Sequence, residues 1–409
     1  MKIKLAIYSF VAAVLLLGVG VLVDISQPQV SQLYAPVYSE YNLLESNWEQ
    51  YKDRYIEQDT YRTLDRSQDD ITTSEGQSYT MLRAVWMDDK RTFDGAWKWT
   101  KDILKKDDRW LFAWRFGERT DGTWGVLTDN GGNNSATDAS VDIALALLLA
   151  HARWGDDSYR LEAGRVLDAI WTHEIIEIDG VPYLLANDVE KALDRDWLNI
   201  NPSYYAPYAF RIFAQVDTTK NWNAVASSSY AVLNQSTDAD FGTGPGELPP
   251  DWLQLNRTTG ELRAPSSDSA YTTNYGYEAL RIPWRVALDY RWFKSDTAKA
   301  YLDKLDFLEE TYQQEGRLVS TYTHDGSPVT TYTSGAFYGA SLGYFSINNP
   351  EIAKQIADDI YREYALSRND RLIDPGYYSS NWIWFGLAFY YDLLPSYDAE
   401  SIDPLPTGP

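Results

Sequence analysis

The sequence predicts an all-α fold, a closed (α/α)6 barrel made of six helical hairpins, with short β-hairpins in its loops and one transmembrane helix before it. Three observations support this prediction. Apolar residues recur at helical spacing from about residue 40 almost to the end of the chain. The predicted helices fall into pairs joined by short turns, and longer connections separate the pairs. One N-terminal stretch is apolar over a length that spans a bilayer. A helical solenoid is the runner-up, but no sequence similarity recurs at a fixed period.

The N-terminal stretch is interpreted as an uncleaved signal anchor. Lys2 and Lys4 precede a run from Leu5 to Val23 that carries no charge. No small-residue cleavage site follows this run. The lysines predict that the N-terminal end of the anchor lies on the cytoplasmic side of the membrane. The rest of the chain is therefore expected outside the cytoplasm, attached to the cell membrane by a single pass. The alternative is a signal peptide that is cut at an atypical place, which would give a secreted protein.

The predicted organisation has four parts. They are a signal anchor over 1–24, a linker over 25–38, the barrel over 39–400 and a flexible tail over 401–409.

Twelve helices are predicted from the 3.6-residue period. They lie at 40–58, 75–88, 92–105, 137–153, 156–174, 202–216, 218–235, 271–291, 295–313, 333–346, 350–365 and 378–394. The turns WGDD and INNP each join one pair. Residues 141–154 are apolar enough for an inner helix of the barrel. An Asp-Gly turn signal predicts β-hairpins within 114–127, 175–185 and 318–333.

Composition excludes several classes of function. The net charge of −23 argues against a nucleic-acid partner, and no Lys/Arg run could neutralise phosphates. Cysteine is absent, which excludes disulfides and thiolate chemistry. The three histidines do not show the spacing of metal ligands, so neither a metal nor another cofactor is expected. The protein is expected to act as a monomer.

The aromatic content is unusually high, with 16 Trp and 31 Tyr. Flat rings beside carboxylates and amides are typical of a sugar-binding cleft, because the apolar faces of a pyranose stack on them. The alternative is a core that is rich in Trp and Tyr. A polysaccharide is therefore the expected partner.

Glu75 is the first candidate for catalysis. It lies in TSEGQSYTMLRAVW, where the Ser/Thr run ending in Ser74 can cap a helix that begins beside Glu75. A helix N-terminus favours the ionised carboxylate. Only burial among aromatic residues could raise the pKa of Glu75 enough to make it a proton donor. The alternative is an ordinary capping-box glutamate.

Residues 136–154, ATDASVDIALALLLAHARW, resemble the signature of glycoside hydrolase family 8. Further motifs resemble the family in the family's order over about residues 70–394: SEGQSYTMLRAV, FDGAWKWT, LFAWR, INPSYYAPYAF and YEALRIPWRVALDY. The resemblance implies an (α/α)6 barrel that hydrolyses β-1,4-linked polysaccharides such as cellulose, xylan, lichenan or chitosan with inversion.

The resemblance also implies roles for individual residues. Glu75 matches the general acid, and Asp138 matches the Asp that grips and distorts the sugar at the cleavage point. Glu278 stands at the position of the general base, where many members have Asp. Arg281, one helical turn later, is expected to pair with Glu278 and hold it ionised, and Tyr277 to orient the attacking water. The other substrate-binding candidates are Trp114, Asn201, Tyr204, Tyr205, Tyr377 and Tyr378.

The chain departs from the family pattern at two positions. Ser140 replaces the second Asp of the signature, and we interpret it as support for the helix end. Glu278 is one methylene longer than Asp, which shifts the carboxylate by roughly 1.5 Å against a separation of about 6.5–9.5 Å that inversion requires. An alternative base could come from the connection 236–270, which contains Asp238, Asp240, Asp251 and Asp268.

The sequence thus predicts a membrane-anchored endo-glycosidase for a β-linked polysaccharide, such as one that the same cell secretes. A polysaccharide-binding protein that has lost turnover is the first alternative, and release of new reducing ends distinguishes the two. A lyase or an α-glucan hydrolase on the same barrel is the second. A lyase normally needs a Tyr/His or Arg site on uronic acids, which these motifs do not resemble.

Overall fold

The computed structural model describes residues 41–362 apart from 243 and 268, residues 375–396, and residues 402, 404 and 405. The chain divides into two units, 1–46 and 47–409. In the first unit residues 41–46 are helical, and all contacts below lie within the second. The predicted anchor lies outside the described residues. Among the described residues, no helix is long and apolar enough to cross a membrane.

The α-helices of the described chain begin with α1 over residues 41–55. The others are α2 Ser74–Trp86, α3 Lys90–Trp99, α4 Thr137–Trp154, α5 Asp157–Ala169, α6 Pro207–Val216, α7 Trp222–Asp238, α8 Arg281–Phe293, α9 Asp296–Lys304, α10 Phe307–Glu315, α11 Gly335–Asn348, α12 Pro350–Ile360 and α13 Gly376–Tyr390.

Six of these helices form an inner ring. Contacts run from α2 to α4, α6, α8, α11 and α13 in turn. The ring closes where the edge of the Tyr79 ring of α2 meets Trp382 and Phe385 of α13. The outer partners are α3, α5, α7, α9 and α12, and residues 47–55 of α1 contact α2 and α13. This arrangement is consistent with the predicted (α/α)6 barrel.

The inner helices are buried on nearly every face. Every residue of α4 from Thr137 to His151 is buried, as an apolar helix surrounded by others requires. Helices α11 and α13 approach especially closely, because a Cβ atom on Gly339 would lie 2.2 Å from the Trp382 carbonyl oxygen. A Cβ on Gly386 would lie 2.0 Å from the carbonyl oxygen of Gly339. Glycine at these two positions therefore permits the contact.

Two predicted helices need correction. The helix predicted over 271–291 begins only at Arg281, and residues 271–280 form a loop and turns. Pro283 gives the reason, because it is tolerated in the first turn of α8 but would break a longer helix that began earlier. The helix predicted over 295–313 is two helices, α9 and α10, interrupted after Lys304.

Three small antiparallel sheets lie in the connections. Their strands are β1 Thr72–Thr73, β2 Arg115–Glu118, β3 Trp124–Val126, β4 Ile175–Ile178, β5 Val181–Leu184, β6 Trp197–Ile200, β7 Leu253–Asn256 and β8 Leu262–Arg263, paired in the orders β1-β2-β3, β4-β5 and β6-β7-β8.

The hairpins predicted over 114–127 and 175–185 are confirmed as β2–β3 and β4–β5. The hairpin predicted over 318–333 contains only isolated bridges, among them one between Tyr322 and Pro328. Pro328 has no backbone N–H with which to continue a ladder.

Candidate active site

A cleft of about 810 Å³ lies at the N-terminal ends of the inner helices α2, α4 and α13 and at the turn before α8. Most of the predicted site residues line it. They are Glu75, Trp114, Asp138, Tyr204, Tyr277, Glu278, Tyr377 and Tyr378. The fold therefore brings together residues that are up to about 300 positions apart in the chain.

Glu75 lies in the first turn of α2. The helix is capped by Thr73, whose hydroxyl accepts a hydrogen bond from the Gly76 N–H at 3.0 Å, so the cap comes from the predicted Ser/Thr run. The Glu75 carboxylate points away from the cap. Its Oε2 accepts from Arg281 Nη1 at 3.0 Å and its Oε1 accepts from the Tyr377 hydroxyl at 2.6 Å. The capping-box alternative is therefore wrong.

Arg281 is the centre of the site and its side chain is fully buried. Its Nη1 donates to Glu75 and, at 2.7 Å, to Asp138 Oδ2, while its Nη2 donates to Glu278 Oε2. Its Nε donates at 3.1 Å both to the Ser203 hydroxyl and to the backbone carbonyl of Glu278. A planar guanidinium with five N–H groups can hold three carboxylates in this way, whereas a lysine ammonium cannot.

The charges of this cluster do not balance, because three carboxylates share one guanidinium. Burial raises the pKa of Glu75 to about 7, with Arg281 opposing the rise and the negative charge of Asp138 adding to it. Burial also raises the pKa of Glu278, again against the effect of Arg281. The prediction that Arg281 simply holds Glu278 ionised is thus incomplete. A proton retained near neutral pH relieves the repulsion, as in other paired carboxylates.

Glu75 and Glu278 bind the two different terminal nitrogens of Arg281. Two hydrogen bonds and one guanidinium therefore separate the bound carboxylate oxygens, which lie at most about 8 Å apart. This upper limit admits both the separation of about 6.5–9.5 Å in inverting enzymes and the separation of about 5–5.5 Å in retaining enzymes.

Asp138 is the second residue of α4 and is almost completely buried. Its Oδ1 accepts from the Ala139 N–H at 2.8 Å, which leaves Oδ2 to Arg281. Ser140 points elsewhere and donates at 3.0 Å to Glu174, whose pKa burial raises to about 8. Ser140 thus serves the start of α4, in line with the interpretation from the sequence.

A second Asp–Arg pair lies one helical turn below the first. Arg285 donates from Nη1 and Nη2 to the two oxygens of Asp142, at 2.9 and 2.7 Å, and both residues are buried. Positions four apart lie on one face of a helix, so Asp138 and Asp142 on α4 face Arg281 and Arg285 on α8. The two pairs fix the register of α4 against α8. Sequence reasoning missed the second pair, although its spacing was a signal.

Three predicted substrate-binding residues do not line the cleft, and the fully buried Arg281 is one of them. Tyr205 is 1 % exposed, and its hydroxyl donates to the Leu184 carbonyl at 3.0 Å, so it is a core residue and the prediction for it was wrong. Asn201 lies behind the cleft wall and donates from Nδ2 to Glu278 Oε2 at 3.0 Å. Its contact is with the carboxylate of the proposed base.

Sequence reasoning also missed two aromatic residues of the cleft. The rings of Trp252 and Tyr271 are stacked, with centroids 4.2 Å apart and planes at 17°, and both line the cleft. Trp252 directly precedes β7, and Tyr271 follows β8 in the chain. The sequence shows that both residues are aromatic, but their position in the cleft depends on the sheet β6-β7-β8, which pairs distant segments of the chain.

The acidic residues of the connection 236–270 do not reach the cleft where the structure describes them. Asp238 pairs with Lys304, and Asp240 accepts from backbone N–H groups of its own turn. Asp251 also binds backbone N–H groups, and burial raises its pKa to about 7. Asp268 lies outside the described residues. Among the described carboxylates of this connection, none is placed as a base.

Comparisons with known proteins agree with this geometry. The family described as "Glycosyl hydrolases family 8" matches residues 28–388. Endoglucanase 2 of Ruminiclostridium josui is 32% identical over 272 residues, which cover 64% of this chain and 54% of that protein. Endoglucanase of Escherichia coli K12 is 31% identical over 240 residues, covering 58% of this chain and 60% of that protein. The chain thus spans little more than half the length of these curated relatives.

Solved structures show the same fold. An endo-1,4-D-glucanase from Vibrio fischeri ES114 superposes with a TM-score of 0.72 at 27% identity, covering 85% of this chain and 95% of that one. A cold-adapted family 8 xylanase superposes with a TM-score of 0.68 at 19% identity, which supports the fold alone. Since the family match covers most of the sequence, and the helical ring and the site motifs agree with it, the chain belongs to glycosyl hydrolases family 8.

Proposed function

We propose that this protein is an inverting endo-glycosidase that hydrolyses a β-1,4-linked polysaccharide. The observation that carries the proposal is the pair Glu75 and Glu278 in one cleft, held on opposite nitrogens of Arg281 with Asp138 beside them. The endoglucanase names of the relatives support the choice of a β-1,4-linked glucan or a similar polymer.

In this mechanism Glu75 donates its proton to the leaving glycosidic oxygen. The pKa of about 7 leaves Glu75 largely protonated in weakly acidic solution. Once the proton has left, Arg281 and the Tyr377 hydroxyl already donate to the two oxygens of the new carboxylate. These charge-assisted bonds strengthen as the charge develops, so they stabilise the transition state more than the ground state.

Glu278 takes the proton from the attacking water on the other face of the sugar. Asn201 and Arg281 both donate to Glu278 Oε2. No described residue donates to Oε1, and we propose that Oε1 takes the proton of the water. Asp138 holds the sugar at the cleavage point in this proposal, and its position in the cleft lining at the start of α4 supports that role. Tyr277 is 41% exposed in the cleft beside Glu278, in a position to orient the water.

The lining of the cleft favours a neutral or cationic polymer. Carboxylates and aromatic rings line it, and among the described lining residues there is no Lys or Arg. The carboxylates of the lining would repel a polymer of uronic acids. This argues against the lyase alternative. The aromatic residues that line the cleft, and that we propose contact the sugar rings, are Trp114, Tyr204, Tyr378 and the stacked pair of Trp252 and Tyr271.

A panel of polysaccharides tests the activity. Incubation with cellulose derivatives, mixed-linkage glucan, xylan and chitosan should release oligosaccharides with new reducing ends from at least one polymer. Proton NMR at early times should show the α-anomer first, because water attacks opposite the bond that breaks. A β-anomer would indicate retention and remove Glu278 from the role of base. Binding without new reducing ends would favour the polysaccharide-binding alternative.

We further propose that the N-terminal segment anchors the domain to the cell membrane with the cleft outside the cytoplasm. The support is the uncharged run from Leu5 to Val23 behind Lys2 and Lys4. The full chain is then expected to sediment with membranes and to resist extraction by carbonate, and removal of residues 1–30 should release an active domain. Recovery of a mature chain that begins near residue 25 would show a cleaved signal peptide instead.

A further inference from the structure

The turn before α8 presents Glu278 to the cleft, and a carboxylate from a distant segment holds that turn. Oδ1 of Asp251 accepts hydrogen bonds from three backbone N–H groups of the turn: Gly276 at 3.1 Å, Glu278 at 3.0 Å and Ala279 at 2.7 Å. The Asp251 N–H in turn donates at 2.7 Å to the carbonyl of Asn274. Asp251 itself does not line the cleft.

We propose that Asp251 is a positioning residue for the general base, because its carboxylate fixes the turn Gly276–Ala279 from which the Glu278 side chain reaches the water. The inference rests on the proposed role of Glu278. It assigns Asp251 no contact with substrate.

The turn needs such a partner because it precedes the helix. α8 begins at Arg281, and no side chain of the described residues caps its N-terminus. The backbone N–H groups of the preceding turn therefore lack helical partners, and Asp251 supplies one oxygen to three of them. Arg281 holds the same turn from the other side, through its Nε bond to the Glu278 carbonyl. The backbone of Glu278 is thus fixed at both its N–H and its C=O.

Gly276 fits this arrangement. A Cβ atom added there would lie 2.6 Å from Asp251 Oδ2, closer than real contacts allow. Any side chain at 276 would have to displace the carboxylate. Glycine at 276 permits the close approach of the Asp251 carboxylate. Gly276→Ala therefore disturbs the contact between Asp251 and the turn while Asp251 itself is unchanged.

The position of the base matters because Glu is longer than the Asp that many members have there. The longer side chain has an additional rotatable bond, so the fixed backbone limits where its carboxylate can lie. A displacement of about 1 Å at a catalytic group can reduce the rate by about 10²-fold.

The expected kinetics follow from this role. Asp251→Ala should lower kcat by about 10- to 100-fold and change KM by no more than about threefold, since the sugar-binding surface is intact. Gly276→Ala should reduce kcat in the same direction. Asp251→Asn keeps an acceptor oxygen at the same place and should restore most of the turnover. Glu261→Ala, an exposed carboxylate in the same connection, is the control and should match the wild type.

A double-mutant cycle separates positioning from a general structural role. In the Glu278→Ala background, added azide restores part of the turnover. This azide-supported turnover does not depend on the position of the Glu278 side chain. Asp251→Ala should then change the azide-supported rate by less than about twofold, because two residues that act through one group are not additive. Circular dichroism and the Tm of each variant identify any that fail to fold.

Three outcomes would overturn the inference. The first is a wild-type kcat in Asp251→Ala. The second is an equally large effect of Asp251→Ala on the azide-supported rate in the Glu278→Ala background, which would show that the effect is purely structural. Failure of Asp251→Asn to recover turnover, with the fold intact, would also count against it. Wild-type activity in Glu278→Ala would overturn the assignment of Glu278 as the base. That failure is seen in the Glu278→Ala variant alone, so it is distinguished from a failure of the inference about Asp251.

Discussion

Glu75→Gln is expected to lower kcat by about 10²- to 10⁴-fold while fold and substrate binding persist. The amide has the shape of the acid but cannot deliver a proton. Its oxygen can accept from Arg281, and its NH₂ group can donate to the Tyr377 hydroxyl. That hydroxyl can turn to Thr73, whose Oγ1 lies 3.3 Å away. The hydrogen-bond network is therefore retained, and the measurement is kcat on the cleaved polymer together with KM.

The leaving group supplies the control for this variant. A β-glycoside of an acidic phenol needs little protonation at its leaving oxygen, so Glu75→Gln should lose much less activity on it than on the polymer. An equal loss on both substrates would point to a disturbed cleft. Activity within a few-fold of wild type on the polymer would exclude Glu75 as the acid.

The pH profile offers a second measurement. The acid works only in its protonated form, so wild-type kcat/KM should fall as the pH rises through the Glu75 pKa of about 7. This limb should be absent in Glu75→Gln, which has no proton to lose at that position. Persistence of the limb in the variant would assign it to another group.

Glu278→Ala is the second change with a large expected effect. It removes the group that accepts the proton of water, and a loss of about 10²- to 10⁴-fold in kcat is expected. Arg281 retains Glu75 and Asp138, and the cluster loses one of its three carboxyl groups, which lowers the repulsion within it, so the fold should persist. KM should change little, because Asp138 and the aromatic walls remain.

Chemical rescue makes this prediction specific. Azide or formate should restore part of the turnover of Glu278→Ala, because a small anion fits the space of the lost carboxylate. Glu278→Asp should keep part of the activity, since the shorter acid stands at this position in many members of the family. Wild-type activity in Glu278→Ala, combined with loss on substitution of Asp238, Asp240 or Asp268, would place the base in the acidic connection instead.

Much of the helical architecture could be predicted from local patterns. The apolar period identified α4 to within a residue, and Asp-Gly turns identified β2–β3 and β4–β5. The start of α8 was missed by ten residues, because aromatic residues in 271–280 continue an apparent helical pattern. Pro283 was the available signal, since it belongs in a first turn.

The composition of the chain does not predict which of its aromatic residues line the cleft. Tyr204 and Tyr205 are neighbours in one motif, yet one lines the cleft and the other is in the core. Trp252 and Tyr271 were not selected, although they stack in the cleft. Which face of a segment meets the cleft depends on the pairing of β6 with β7, whose residues are about 50 positions apart.

The sequence by itself determined most of the helices and their pairing, because these depend on the local period of apolar residues. The resemblance of its motifs to the family singled out the carboxylates that could do the chemistry. Only the tertiary structure decided that Glu75, Asp138 and Glu278 share one buried Arg281. It also decided the protonation of the site. A pKa depends on lost hydration and on the distances to other charges, and both arise only when segments about 200 residues apart in the chain are brought together.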